Sequence, residues 1–145
     1  MKAVIQRVKR VKLSVDGELI SEIPFGLAVY LGVKVGDTPD KCAAVAKKIA
    51  ALRIFEDDIG KMNLSVKDVG GEVMLISQFT LYGDLSHGNR PSFTEAERPE
   101  PAKALYELVA ENLRAQGLTV KQGVFGADMK IEQYNDGPVT VIYEI

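Results

Sequence analysis

The chain has 145 residues, 46% of them hydrophobic and 26% charged, which suits one domain over residues 1–145 with a full core. Net charge is −2, so no global basic field draws the protein onto nucleic acid, and DNA is not an expected partner. No apolar run is long enough to span a bilayer, and the single Cys42 cannot form an intramolecular disulfide. Lys2, Arg7, Lys9, Arg10 and Lys12 break up any signal-peptide pattern at the start. A cytoplasmic location with no membrane partner is the expectation.

In chain order, Ala3 to Val15 is rich in β-branched residues and predicts one strand, or two with a bulge. Asp16-Gly17 predicts a hairpin turn, with Glu18 to Ile23 returning. Gly26 to Val33 is an apolar run of the buried-strand kind. Thr38 as N-cap and Pro39 at the first helical position open a helix. Cys42, Val45, Ile49 and Leu52 form its buried stripe, so Cys42 reads as core. Arg53–Phe55 and Met62–Leu64 predict short strands around a polar turn. Val73 to Thr80 predicts another strand, followed by a long loop, Tyr82 to Pro101. A second helix is expected from about Pro101, with Leu105, Leu108, Val109 and Leu113 on one side and Gly117 as its stop. Leu118–Val124, Ala127–Tyr134 and Val139–Glu144 predict three closing strands. The sum is an α/β domain with a largely antiparallel, barrel-like β-sheet and two main helices.

Two strings stand out. Asn135-Asp136-Gly137-Pro138-Val139-Thr140 lies between two strand-like segments, and Pro cannot serve a central strand. A turn is therefore expected: either a plain hairpin turn, or a rigid one that aims bare backbone atoms at a neighbour. Ser77-Gln78-Phe79-Thr80 puts polar groups at the end of a buried strand, a common place for functional residues as well as for ordinary hydrogen-bonded core positions.

Familiar catalytic sets are missing. The only histidine, His87, sits in a loop and reads as solvated, so no Ser-His-Asp triad is expected. There is no Cys/His cluster for a metal, no phosphate-binding loop and no dinucleotide fingerprint, so neither metal nor cofactor is expected.

Ser77-Gln78-Phe79-Thr80-Leu81-Tyr82 and Asn135-Asp136-Gly137-Pro138-Val139-Thr140 resemble the two signature motifs of the D-aminoacyl-tRNA deacylases. The resemblance extends through Met1–Val8, Leu52–Asp57, Gly60–Ser65, Gly88–Phe93 and Phe125–Met129. It implies a homodimer whose pocket receives the acceptor end of an aminoacyl-tRNA. It implies hydrolysis of D-aminoacyl esters, and of glycine mischarged on tRNA-Ala, with L esters excluded. Gly137 and Pro138 of one subunit would enter the pocket of the other as a cis-linked turn and screen chirality through their carbonyl oxygens. Arg7 would hold that turn; by itself it reads equally as an exposed strand charge. Ser77, Gln78, Phe79 and Thr80 would bind the aminoacyl and adenosine groups. Thr80 and Gln78 are the candidate catalytic residues; Thr80 corresponds to the family's candidate nucleophile, yet no base is evident near it. Main-chain groups, with the tRNA's 2′-hydroxyl assisting, are the alternative. Phe125 and Met129 are candidates for the pocket wall or the core. A non-catalytic RNA-binding module and an esterase for small D-acyl compounds are the competing readings.

Overall fold

The first strand sets the architecture. In the computed structural model, which describes Met1–Ile145, β1 runs from Lys2 to Val15. Ala3, Ile5 and Arg7 lie on one face of it, Val4, Gln6 and Val8 on the other. The alternation slips at Lys9 and Arg10, which are both exposed. There, pairing with the last strand advances from Val8 to Arg10 on β1 and only from Asn135 to Tyr134 on its partner. This β-bulge turns the odd-numbered Val11 and Leu13 onto the face that Val8 occupied.

The other strands are β2 (Glu18–Ile23), β3 (Gly26–Gly32), β4 (Arg53–Glu56), β5 (Met62–Ser65), β6 (Glu72–Ser77), β7 (Val120–Gln122) and β8 (Met129–Glu144). The helices are α1 (Pro39–Ala51) and α2 (Pro99–Ala115), with a short 3₁₀ turn at Phe79–Tyr82. The main sheet has the order β2-β1-β3-β6-β7, and β8 also pairs with β1; β4 and β5 form a separate ribbon. β1 is antiparallel to β2, β3 and β8, while β3–β6 and β6–β7 are parallel. Ser21 Oγ on β2 donates to the Gln122 carbonyl on β7 at 2.9 Å, so the ends of the path meet and the sheet is nearly closed.

Two cores follow from the two faces. Val8, Val11, Leu13, Ile23, Ala28, Met74 and Ile76 fill the inside of the barrel. Ile5, Val29 and Leu75 point outward and pack against Val45 and Ile49 of α1 and Val109 and Leu113 of α2. The expected barrel-like α/β fold with two helices is the fold found.

Four local expectations differ. β6 stops at Ser77 rather than Thr80, because Gln78 leaves extended geometry at ψ 80 after its N–H makes a last rung to Leu31. α2 begins at Pro99, not Pro101; Pro99 takes the early helical place where a missing N–H costs nothing. The buried stripe of α2 is Ala102, Tyr106, Val109, Ala110 and Leu113, with Leu105 and Leu108 only flanking it. Finally, the two closing segments do not form a hairpin. Both halves of β8 pair with β1 as one strand.

Thr38 stands at the N-cap of α1, but its hydroxyl makes no capping bond. Asp37 fixes the approach instead, accepting from Lys34 N at 2.7 Å and from Lys41 Nζ at 2.9 Å, and pairing with the Met1 ammonium at 2.8 Å. Burial alone would raise the Asp37 carboxyl, but these donors outweigh it and hold it below the usual carboxylate range. A depressed folded-state pKa gives stability that is present above the unfolded value, about 4, and is lost as pH falls through the folded one. Asp37→Asn should therefore lower the urea midpoint near neutral pH, and the gap from wild type should close as pH falls below about 4.

Gly26 lies at φ +140, and a Cβ there would overlap the Glu72 backbone of β6. Gly26→Ala should cost about 3 kcal/mol or more in urea unfolding, since backbone rather than a movable side chain stands in the way.

Candidate active site

A pocket of about 590 Å³ opens where β6 ends. Its size and mainly apolar lining fit a small organic group. Ser77, Gln78 and Phe79 approach from the end of β6, Phe125 from the segment before β8, Met129 from the first position of β8, and Ala102 and Tyr106 from α2. The Tyr106 hydroxyl donates to the Leu75 carbonyl at 2.7 Å, and its ring meets Phe125 at 5.8 Å between centroids. Burial pushes the Tyr106 phenol up to about 12, which keeps it neutral. At the rim, Phe79 and Phe93 stack edge to face at 5.1 Å. Phe79 is nonetheless 58% exposed, so much of its face is open to a ligand.

The Ser77–Thr80 segment thus divides. Ser77, Gln78 and Phe79 line the pocket; Thr80 does not, and is exposed. The Thr80 hydroxyl accepts from Gln78 Nε2, and no carboxylate or imidazole bonds to it. Nothing in this protomer activates Thr80 as a nucleophile. His87 is an exposed loop residue that does not line the pocket. Cys42 is fully buried, its thiol pushed up to about 11 by burial, as suits a core residue. No three His, Cys, Asp or Glu side chains converge on one point.

The second motif lies outside this pocket. Val8 faces Asn135 and Gln6 faces Thr140, so Asp136, Gly137, Pro138 and Val139 stand opposite Arg7 alone. The excess residues are pushed out of the ladder. Gly137 has φ +135, the Gly137–Pro138 bond is cis, and both residues are exposed. Arg7 is only 7% exposed, which disposes of a solvated strand charge. Its Nε contacts the Asp136 carbonyl at 3.3 Å and the Asp136 carboxylate at 3.1 Å, and its Nη1 donates to the Ile54 carbonyl at 2.9 Å. Lys9 adds a 3.3 Å ion pair to the same carboxylate. The guanidinium therefore clamps the bulge to β4.

Phe93, Tyr106, Arg98 and Ile131 also line the pocket and were not foreseen. Tyr106 carries the helical spacing of an ordinary core residue, and Phe93 sits in a loop with no periodic signal at all. Arg98 is exposed and engages in none of the ion pairs, so a cation stands free at the rim.

Comparison with known proteins gives matches over nearly the whole chain. A family model described as D-Tyr-tRNA(Tyr) deacylase matches residues 4–144. A D-aminoacyl-tRNA deacylase of Carboxydothermus hydrogenoformans is 53% identical over 145 residues, covering 100% of both chains. One from Thermotoga petrophila is 52% identical over 144 residues, covering 99% of this chain and 97% of the relative. Among solved structures, a c-Myc DNA Unwinding Element Binding Protein superposes with a TM-score of 0.94 at 42% identity, over 100% of this chain and 99% of that one. A probable eukaryotic D-amino acid tRNA deacylase superposes with a TM-score of 0.88 at 17% identity, over 99% of this chain and 98% of that one, a likeness of fold.

Arg7→Leu should leave the Asp136 and Ile54 carbonyls without their donor and Asp136 without its main partner. The expected loss is about 2 kcal/mol, set below that of a fully buried pair because Asp136 is partly solvated. Urea unfolding measures it, and amide exchange should quicken first in the rungs of β8 that flank the bulge, around Asn135 and Thr140.

Proposed function

The chain belongs to the D-aminoacyl-tRNA deacylase family of ester hydrolases, and we propose that its pocket receives the aminoacylated terminal adenosine of a tRNA while the Gly137–Pro138 bulge of a second copy screens the amino acid's handedness. One observation carries the reading. Ser77, Gln78 and Phe79 of the first motif line a pocket, while Gly137 and Pro138 of the second are exposed, lie outside that pocket and are held through Asp136 by Arg7. A stiff projection with nothing to fill in its own protomer suits the cavity of a partner. The outer edge of β8, unpaired here, supports a symmetric dimer.

Catalysis in this reading needs little side-chain chemistry. The ester of an aminoacyl-tRNA is a reactive bond. Water adds to its carbonyl carbon, the bond to the ribose oxygen breaks, and that oxygen takes up a proton. Main-chain N–H groups of Phe79 and Thr80 would stabilise the oxyanion, and the neighbouring ribose 2′-hydroxyl would orient the water. Gln78 would position the ester, Phe79 and Phe93 would stack on the base, and Arg98 would meet a phosphate. Phe125 and Met129 would wall the aminoacyl site. The carbonyls of Gly137 and Pro138 would stand where an L side chain must go. A D side chain points elsewhere, and glycine has none, so glycine mischarged on tRNA-Ala would pass as well. The family match supports an RNA end as the substrate, and a net charge of −2 supplies no general attraction for a DNA duplex. The cytoplasm is the compartment proposed.

Purified protein should cleave D-tyrosyl-tRNA about a hundredfold or more faster than L-tyrosyl-tRNA; equal rates would end the proposal. A Cβ at residue 137 would lie 2.5 Å from Val139 N, so Gly137→Ala must distort the bulge. It should weaken discrimination or D-ester cleavage by at least about tenfold while the melting temperature barely moves. His87→Ala should leave both rates within about twofold.

A further inference from the structure

Asn135 and Thr140 bracket the bulge, and the reading above gives their side chains nothing to do. Both end a chain of side-chain hydrogen bonds. Tyr30 Oη donates to Gln133 Oε1 at 2.9 Å. Gln133 Nε2 donates to Gln6 Oε1 at 2.7 Å and also to Asn135 Oδ1. Gln6 Nε2 donates onward to Thr140 Oγ1 at 3.1 Å. Donors and acceptors alternate along the whole path, so each amide's orientation is fixed by its neighbour.

The placement of this chain matters. Gln6 and Arg7 are consecutive on β1 and so point to opposite faces. Arg7 grips the bulge from the helix side, and the Gln6–Gln133 chain grips both of its feet from the barrel side. The same chain reaches the pocket wall. Tyr30 is the register partner of Ile76, and Gln133 follows Ile131 by one same-face step on β8; Ile76 and Ile131 both line the pocket.

The geometry points to Gln133, with Gln6 and Tyr30, as positioning residues that fix the Gly137–Pro138 wedge relative to the pocket and thereby set how well D and L esters are told apart. The inference rests on the proposed function. In a two-fold dimer, the distance from one protomer's wedge to the other's pocket is tied to the arrangement within each protomer. An internal strut between wedge and pocket wall therefore sets the depth of insertion across the interface.

Gln133→Glu tests this without changing shape. It exchanges the amide's donors for an oxygen that faces Gln6 Oε1 and Asn135 Oδ1, so both bonds are lost. The D/L ratio of kcat/KM on tyrosyl-tRNA should fall about tenfold, as L-ester cleavage rises relative to D. The ratio cancels weaker tRNA binding from the added charge and any uniform loss of folded enzyme. Tyr30→Phe, which removes one hydroxyl, should lower the ratio about threefold and decides the matter if Gln133→Glu does not fold. An unchanged ratio overturns the inference, and so does an equal loss on both substrates, the mark of a merely structural role. A wild-type protein without D/L discrimination would instead end the reading beneath it.

Discussion

The pairing of β1 with β8, and its mismatch at Arg7, is the constraint on which the rest depends. Two long strands share a ladder, yet four residues of one, Asp136 to Val139, meet a single residue of the other. Such a mismatch must be expelled, absorbed by a shift of register, or tied down. A shift of register is forbidden on both sides: by the buried alternation of Ala3, Ile5 and Arg7 below the bulge, and of Val11 and Leu13 above it. The excess therefore leaves the sheet. Gly137 supplies the positive φ, and Pro138 has no N–H to lose. Arg7 ties it down, and burial makes that tie strong, since a guanidinium sheltered from water pairs more firmly than one on the surface.

The same strand feeds the pocket. The bulge at Lys9 turns the second half of β1 so that Leu13 faces the barrel interior, where Met74 and Ile76 of β6 meet it. β6 is thus held on both faces, by the barrel core inside and by α2 through Tyr106 outside. Its end at Ser77 and Gln78 is consequently a rigid place from which to line a cavity. Pocket and wedge are two outputs of one sheet, set by packing rather than by loop flexibility.

Much of this was legible in the residues. Many β-branched residues marked β1, the Asp-Gly pair marked its hairpin, and Thr38-Pro39 marked the start of α1. The failures have physical reasons. Val73 to Thr80 read as one strand because β-branched and aromatic residues carry on past Ser77, while the backbone turns away after the last rung at Gln78. α2 offered two prolines, and propensity does not say which one takes the early helical place. Gly137-Pro138 announced a break but not its kind. Whether two segments pair with each other or with a shared third strand is a non-local fact, invisible to any window on the chain. Tyr106 and Phe93 escaped for the opposite reason: nothing about a tyrosine on a helix stripe or a phenylalanine in a loop separates a pocket wall from an ordinary core.

The proposed selection of handedness would favour a screen built from main chain. D and L esters contain the same atoms, so apolar burial and hydrogen-bond count cannot separate them; the placement of contacts and of excluded volume can. Exclusion is as sharp as the excluding atom is still. A side-chain barrier would turn about its χ angles and yield to a modest push, whereas a carbonyl in a chain fixed on both flanks has no such torsion to spend. Stillness must then come from the neighbours of the wedge. Arg7 on one face of β1 and Gln6 with Gln133 on the other supply it, and this places two motif residues, Asn135 and Thr140, at the feet of the wedge rather than at its tip.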